Sequence, residues 1–250
     1  MTIRRTVLVT GGGKRLGAAI ARALAAAGHR VVVHHNASGL EAGALAEAIG
    51  GVTVAGDLAD LDNVGSIIAR ARDAAGAPID GLVNSASAFA FDTPPAIDAH
   101  LYARLAAING GSPVLLAAAL ADQADIQDGA VVNLLDQKLA NPNPDFFSYS
   151  CAKFALAGAT TMLAQALAPR VRVNAVSPGL TLQSGDQTDG QFAAVASRNL
   201  LRHPVGADMV ADAVTYLIGS TGINGQNLFV DCGQRFLPSP RDVMFEPAHG

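Results

Sequence analysis

Short β-branched runs alternate along the chain with longer stretches in which alanine and leucine recur at helical spacing. The apolar runs predict strands over Thr6–Thr10, Arg30–His34, Val52–Ala55, Gly81–Asn84, Ala130–Leu134, Arg172–Ala175 and Asn227–Asp231. Between them, amphipathic patterns predict helices over Arg15–Ala27, Leu40–Ile49, Leu61–Ala75, Ala99–Ala121, Ser148–Leu167 and Ala207–Ile218. Strand and helix taking turns in this way point to parallel strands joined by helical crossovers. The expected fold is α/β, a doubly wound parallel sheet of about seven strands with helices on both faces. Thr181–Gly206 breaks the rhythm, being rich in Gly, Gln, Ser and Asp with a short helical pattern near Gln191–Leu200. An irregular stretch of that length in a compact domain suits a substrate loop. The tail, residues 234–250, contains Pro238, Pro240 and Pro247 and is a candidate to cross to a neighbouring subunit.

Composition narrows the class. The 250 residues are half apolar, enough for one large domain spanning residues 1–250 with a substantial core. Seventeen basic and 21 acidic residues leave a net charge of −4 with no basic block, so neither nucleic acid nor an anionic membrane is an expected partner. Cys151 and Cys232 are the only cysteines and lie far apart, which suits a reducing compartment and offers no metal-ligand cluster. Met-Thr-Ile-Arg-Arg runs straight into the first strand, so the expectation is a cytoplasmic protein without a leader or membrane span.

The first strand feeds Thr10-Gly-Gly-Gly-Lys-Arg-Leu-Gly17 and then a helix. Glycines there let the backbone approach a pyrophosphate, and a helix N-terminus offers it free N–H groups and a positive dipole end. Gly11, Lys14, Arg15, Leu16 and Gly17 are thus candidate cofactor residues. The second strand ends in His34-His35-Asn36-Ala37-Ser38 without a carboxylate, so the 2′-phosphate of NADPH meets no repulsion. His34, His35, Asn36 and Ser38, with Lys14 or Arg15, form a candidate pocket for it; the plainer alternative is that the histidines end an exposed strand. Asp57 and Leu58 follow the third strand as a candidate adenine cap. Asn84, Ser85, Ala86 and Ser87 follow the fourth, small residues where backbone and dinucleotide pass closely.

The chemistry concentrates in Tyr149-Ser-Cys-Ala-Lys153, with Asp136 upstream. An i to i+4 spacing places phenol and ammonium on one helical face, where the lysine is expected to lower the phenol's pKa and make it a proton donor near neutral pH. A carboxylate facing a developing alkoxide opposes ketone reduction, whereas a carboxyl group with a raised pKa suits protonation of nitrogen in a C=N reduction. The alternative for Asp136 is that it only orders a loop or marks a degenerate site.

These residues resemble the short-chain dehydrogenase/reductase family, with its Rossmann-type fold, over nearly the whole chain. The matching features are the glycine turn at Gly11–Gly17, Asp57, Asn84-Ser85-Ala86, Asn109, Tyr149 with Lys153, and Pro178-Gly179 followed by Leu180. Asp136 stands where that family usually has serine, and Ser85 where it has a second asparagine. The basic first turn, Asp136 in place of the serine and Ala86-Ser-Ala-Phe89 are all similar to the pteridine reductase branch, including its dihydromonapterin reductases. The resemblance implies an NADPH-dependent reductase of a dihydropterin, dihydromonapterin, dihydrobiopterin or dihydrofolate. It implies Tyr149 as proton donor, Lys153 on the nicotinamide ribose, and Asn109 on a relay water. Phe89 and the nicotinamide would sandwich the pterin, with Ser87, Arg15, Asp136 and Leu180 around it; core packing is the other use of Phe89. A homotetramer or homodimer is implied, paired through Ala99–Ala121 and Ser148–Leu167. A reductase of ketones or aldehydes is the rival reading, and a non-catalytic NADPH-binding regulator the more distant one.

Overall fold

The protein was studied as a computed structural model that describes residues 4–183 and 188–245. Seven strands form one sheet: β1 (Thr6–Val9), β2 (Arg30–His35), β3 (Val52–Ala55), β4 (Gly81–Asn84), β5 (Gly129–Leu134), β6 (Val171–Pro178) and β7 (Asn227–Val230). Their order is β3-β2-β1-β4-β5-β6-β7, and every neighbouring pair is parallel. The helices are α1 (Arg15–Ala26), α2 (Gly39–Ala48), α3 (Ser66–Ala75), α4 (Ala99–Ala106), α5 (Ser112–Asp122), α6 (Phe147–Ala166), α7 (Asp189–Ala196) and α8 (Ala207–Gly219).

Strand alternation divides the core. Val7 and Val9 face α1, α2 and α8 on one side, while Leu8 faces α3 and α5 on the other. Because both faces are covered, the central strands are buried throughout and mostly apolar, with Asn84 and Asn133 as hydrogen-bonded exceptions. The order reverses between β1 and β4, so the loops after these strands diverge and leave a crevice at the carboxyl edge of the sheet.

Two predicted helices differ from expectation for local reasons. The stretch from Leu61 becomes helical only at Ser66. Asp57 accepts from Ala59 N–H, and Asp60 accepts from both the N–H and the Nδ2 of Asn63, so side-chain bonds hold turns in place of helix. Ala99–Ala121 is interrupted by a π-helical segment, Ala107–Gly111, centred on Asn109. Pro113 follows and has no N–H to close the usual bond onto the Asn109 carbonyl. The 24-residue rod Ala99–Asp122 has the length and mean hydropathy (1.4) of a membrane span, but half of its most apolar stretch is buried within the fold. The loop after β6 contains α7 close to its predicted place; residues 184–187 of it, and 246–250 of the tail, lie outside the described residues.

Candidate active site

The crevice is a cavity of about 580 Å³ at the β1/β4 reversal. One wall is the first turn, Gly11, Lys14, Arg15, Leu16 and Gly17. Gly11 has φ 61°, and a Cβ on Gly17 would collide with the Gly11 carbonyl. No side chain caps the start of α1, so its N–H groups face the crevice as an anion site. Thr10 joins this turn to the opposite wall, its Oγ1 accepting from Ser85 N–H and Ala86 N–H, both at 3.0 Å. Arg15 has φ 51°, a strained position for a side chain, and its NH2 donates to the Gln183 carbonyl at 2.5 Å. Lys14 forms an exposed ion pair with Glu41 at 2.6 Å.

Deeper in, α6 presents Tyr149 and Lys153. The helix is anchored by Asp92, which accepts from the N–H and the hydroxyl of Ser148. Tyr149 Oη donates to Asp136 Oδ2 at 2.8 Å, and Asp136 Oδ1 accepts from Lys138 N–H at 2.8 Å. Lys153 Nζ donates to the Leu134 carbonyl at 2.7 Å, which fixes the ammonium at the end of β5. Burial pushes the Asp136 carboxyl above its ordinary pKa, against the stabilising Lys138 N–H, the Tyr149 hydroxyl and the two lysine charges. Burial, then the charge and hydrogen bond of Asp136, holds the Tyr149 phenol well above 10. Burial lowers Lys153 to about 8. The expected depression of the phenol's pKa by Lys153 is therefore reversed, first by burial and then by Asp136, which is bonded to the phenol while the ammonium lies 5.6 Å from the ring centroid. Asp136 and Tyr149 form one proton-holding pair.

Asn109 braces the facing loop. Its Nδ2 donates to the Ala88 carbonyl (2.9 Å), and its Oδ1 accepts from Ser87 Oγ (2.8 Å) and Ala88 N–H (3.1 Å). Ser87 and Phe89 line the cavity, and Phe89 is 46% exposed, so the ring is a wall rather than core. It stacks on Phe146 at 4.0 Å and meets Tyr149 edge-on at 4.8 Å. Pro178, Gly179 and Leu180 form the floor, where Gln234 Oε1 accepts from Leu180 N–H at 2.8 Å.

Besides Asn109, seven sequence candidates do not line the cavity. His34 is buried behind the turn; its Nδ1 accepts from Gly11 N–H and its Nε2 pairs with the Gly56 carbonyl, both at 3.2 Å. Burial first of all lowers its pKa to about 4, so it is a neutral tie between loops and not a phosphate ligand. Asn84 turns into the sheet, donating to Asn133 Oδ1 at 2.8 Å. Leu58 packs in the core with Val54 and Ile67. Asp57 remains exposed and holds Ala59 N–H through its own carboxylate. His35, Asn36 and Ser38 lie outside the cavity on the edge beyond β2, with Asn36 exposed and the other two half-buried.

The structure adds residues that sequence reasoning missed. Gln137, Lys138, Gln234, Asp242 and Val243 line the cavity, and Phe146 backs Phe89 from a left-handed position with φ 54°. The tail through Phe245 folds onto its own chain: Lys138 Nζ donates to Asp242 Oδ2 at 3.0 Å, and Asp242 N–H and Arg241 Nε donate to Asp145 Oδ2 at 2.8 and 2.7 Å. Only the Phe146-Phe147 doublet ahead of Tyr149 was a visible signal for any of these.

Residues 13–235 match the family described as enoyl-(acyl carrier protein) reductase. The structure is similar to that of FolM alternative dihydrofolate reductase 1 from Brucella canis complexed with NADP, with a TM-score of 0.91 and 38% identity over 97% of this chain and 98% of that one. Dihydromonapterin reductase of Citrobacter koseri is 28% identical over 91% of this chain and 95% of its own length. L-xylulose reductase of Mesocricetus auratus is 32% identical, covering 92% and 96%.

Proposed function

The chain belongs to the short-chain dehydrogenase/reductase family of oxidoreductases, and on that premise we propose that it is an NADPH-dependent reductase of a pterin C=N bond. The observation that carries this reading is the Tyr149–Asp136 hydrogen bond at 2.8 Å beside the exposed ring of Phe89. A carboxyl group with a raised pKa at that position can place a proton on a ring nitrogen, which a carbonyl reductase does not require.

The uncapped start of α1 and the crowded Gly11–Gly17 turn fit a dinucleotide pyrophosphate. Gly11, Leu16, Gly17, Ser85 and Ala86 would hold the cofactor along the cavity, Pro178 and Gly179 its nicotinamide end, and Lys153 its ribose. Lys14, Arg15, His35, Asn36 and Ser38 would receive the 2′-phosphate, since His34-His35-Asn36-Ala37-Ser38 contains no carboxylate and Lys14 can exchange its exposed ion pair with Glu41 for the phosphate. NADPH, when bound, supplies the hydride. Phe89 offers a flat face to a pterin ring, while Arg15, Ser87 and Leu180 border it. Asp136 holds the proton destined for ring nitrogen, and Tyr149, kept as a neutral phenol, donates a hydrogen bond to the carboxylate left behind, which then regains a proton from water. Asn109 keeps Ser87 and Ala88 in place with its side chain, and holding a relay water is the further role this reading gives it. Assembly as a homotetramer or homodimer in the cytoplasm belongs to the same reading.

The test uses purified protein with NADPH, NADH in parallel, and a panel of dihydromonapterin, dihydrobiopterin, dihydrofolate and simple ketones and aldehydes. Pterin reduction at the highest kcat/KM is the expected result. Robust turnover of carbonyls alone would assign the site to carbonyl reduction instead.

A further inference from the structure

A second cavity of about 360 Å³ abuts the first, and the two share Gln137, Lys138, Gln234, Asp242 and Val243 as a common partition. Its volume lies at the lower end of the range for ligand pockets, about 300–1,000 Å³. Its lining is ordered by chemistry: Leu237, Pro238 and Val243 give an apolar stretch, and among the described residues Lys138, Arg198 and Arg241 supply basic side chains and Asp242 a carboxylate. A pterin ring with a small hydroxylated substituent has no use for such a space.

Arg241 is the most specific feature. Its Nε donates to Asp145 Oδ2 at 2.7 Å, and its guanidinium lies 5.2 Å from the Phe245 ring centroid. These contacts hold the planar group by one edge, and its two terminal NH2 groups make no hydrogen bond among the described residues. The side chain is 53% exposed, so that open edge is reachable. An oriented guanidinium with a free donor pair matches a carboxylate in two-point geometry.

We propose that this second cavity is a subsite for an aromatic, carboxylate-bearing substituent on the substrate, as in dihydrofolate, with Arg241 as its anchor and Arg198 as a further cation. The inference rests on the pterin reading of the first cavity. The pterin ring lies against Phe89, its substituent crosses the partition over Val243 and Leu237, and its carboxylate meets Arg241.

Steady-state kinetics on the full chain with saturating NADPH test this by comparing dihydrofolate with a dihydropterin bearing a neutral hydroxyalkyl group. Arg241→Gln is expected to raise the ratio of the two KM values, dihydrofolate over neutral dihydropterin, about tenfold, the loss of one charge-assisted contact. Arg198→Gln, which leaves the Arg241–Asp145 contact intact, should raise it in the same direction, and Arg241→Lys should recover part of the loss. An unchanged ratio in both glutamine variants, or equal KM changes for the two substrates, overturns the subsite. Parent protein that reduces the neutral dihydropterin but not dihydrofolate also overturns it while leaving the pterin reading in place. Reduction of neither removes the pterin reading, and the subsite with it.

Discussion

The two ends of the nucleotide crevice are built on different terms. At the chemical end, Asp136, Tyr149, Lys153 and Asn109 are each held by hydrogen bonds, and the first three carry shifted pKa values because protein surrounds them. At the end assigned to the 2′-phosphate, Lys14 sits in an exposed ion pair and Asn36 projects into water; His35 makes only a long contact to the Asn36 carbonyl, at 3.2 Å. Catalytic groups are preorganised because geometry and pKa must both be set before a proton moves. Cofactor choice needs only a favourable charge in roughly the right place, so it can sit on the surface without burial. The first region should therefore lose function steeply on substitution, whereas the second should change preference without changing stability.

The largest effect is expected at Tyr149. Tyr149→Phe removes the hydroxyl and keeps the ring against Phe89, so turnover should fall about 10³-fold, within the usual range for a positioned acid. Binding of NADPH, followed by its fluorescence, should stay within about twofold. Near-parental turnover would break the comparison by showing that the buried pair is not the proton source.

Asp136→Asn keeps the size and removes the acid, and we expect kcat on a dihydropterin to fall about 10²-fold. The folded-state pKa of Asp136 is raised, so the parental rate should decline as pH rises through the apparent pKa of the Asp136–Tyr149 pair, above the ordinary 3.8 of a carboxyl group. That descending limb should vanish in the variant; a pH profile unchanged in shape would remove Asp136 from the proton path.

His34 sharpens the comparison, because it lies between the two ends and acts on stability. Its pKa falls from 6.5 in the unfolded chain to about 4 in the folded protein, so below pH 6.5 the unfolded state takes the proton first. Stability should drop as pH falls from 6.5 toward 4, by on the order of 2–3 kcal/mol, and then level off with respect to this group. His34→Leu strands the Gly11 N–H and should cost about 1–3 kcal/mol in urea unfolding at pH 7, while flattening that part of the pH dependence.

The smallest effect belongs to the exposed end. His35→Asp or Asn36→Asp sets a carboxylate against the 2′-phosphate, and the ratio of kcat/KM for NADPH to that for NADH should fall about tenfold. The urea midpoint should not move. A loss of stability comparable to that in His34→Leu would show that this edge is structural after all.

Much of the architecture was legible because it rests on periodicity. The alternation of apolar runs and helical patterns located all seven strands, and the glycine turn after the first strand located the crevice, since both signals are local in the chain. The i to i+4 spacing of Tyr149 and Lys153 survives as a shared face on α6 because helix geometry alone enforces it. Asp136 was readable as a departure at the end of an apolar run, and β5 delivers it there.

What the sequence by itself determined, then, is the fold class, the place of the crevice and the residue types at its centre, because each follows from spacing within a single element or turn. Tertiary structure alone decided which side chains face the crevice and what their protons do. His34 and Asn84 sit at the ends of the expected strands, yet their side chains bond to neighbouring segments, and no local pattern records such a partner. Lys138, Gln234 and Asp242 meet across about a hundred residues of chain, and the pKa shifts of Asp136 and Tyr149 come chiefly from enclosure. Both depend on what surrounds a group in space, and that arises only when distant segments are packed together.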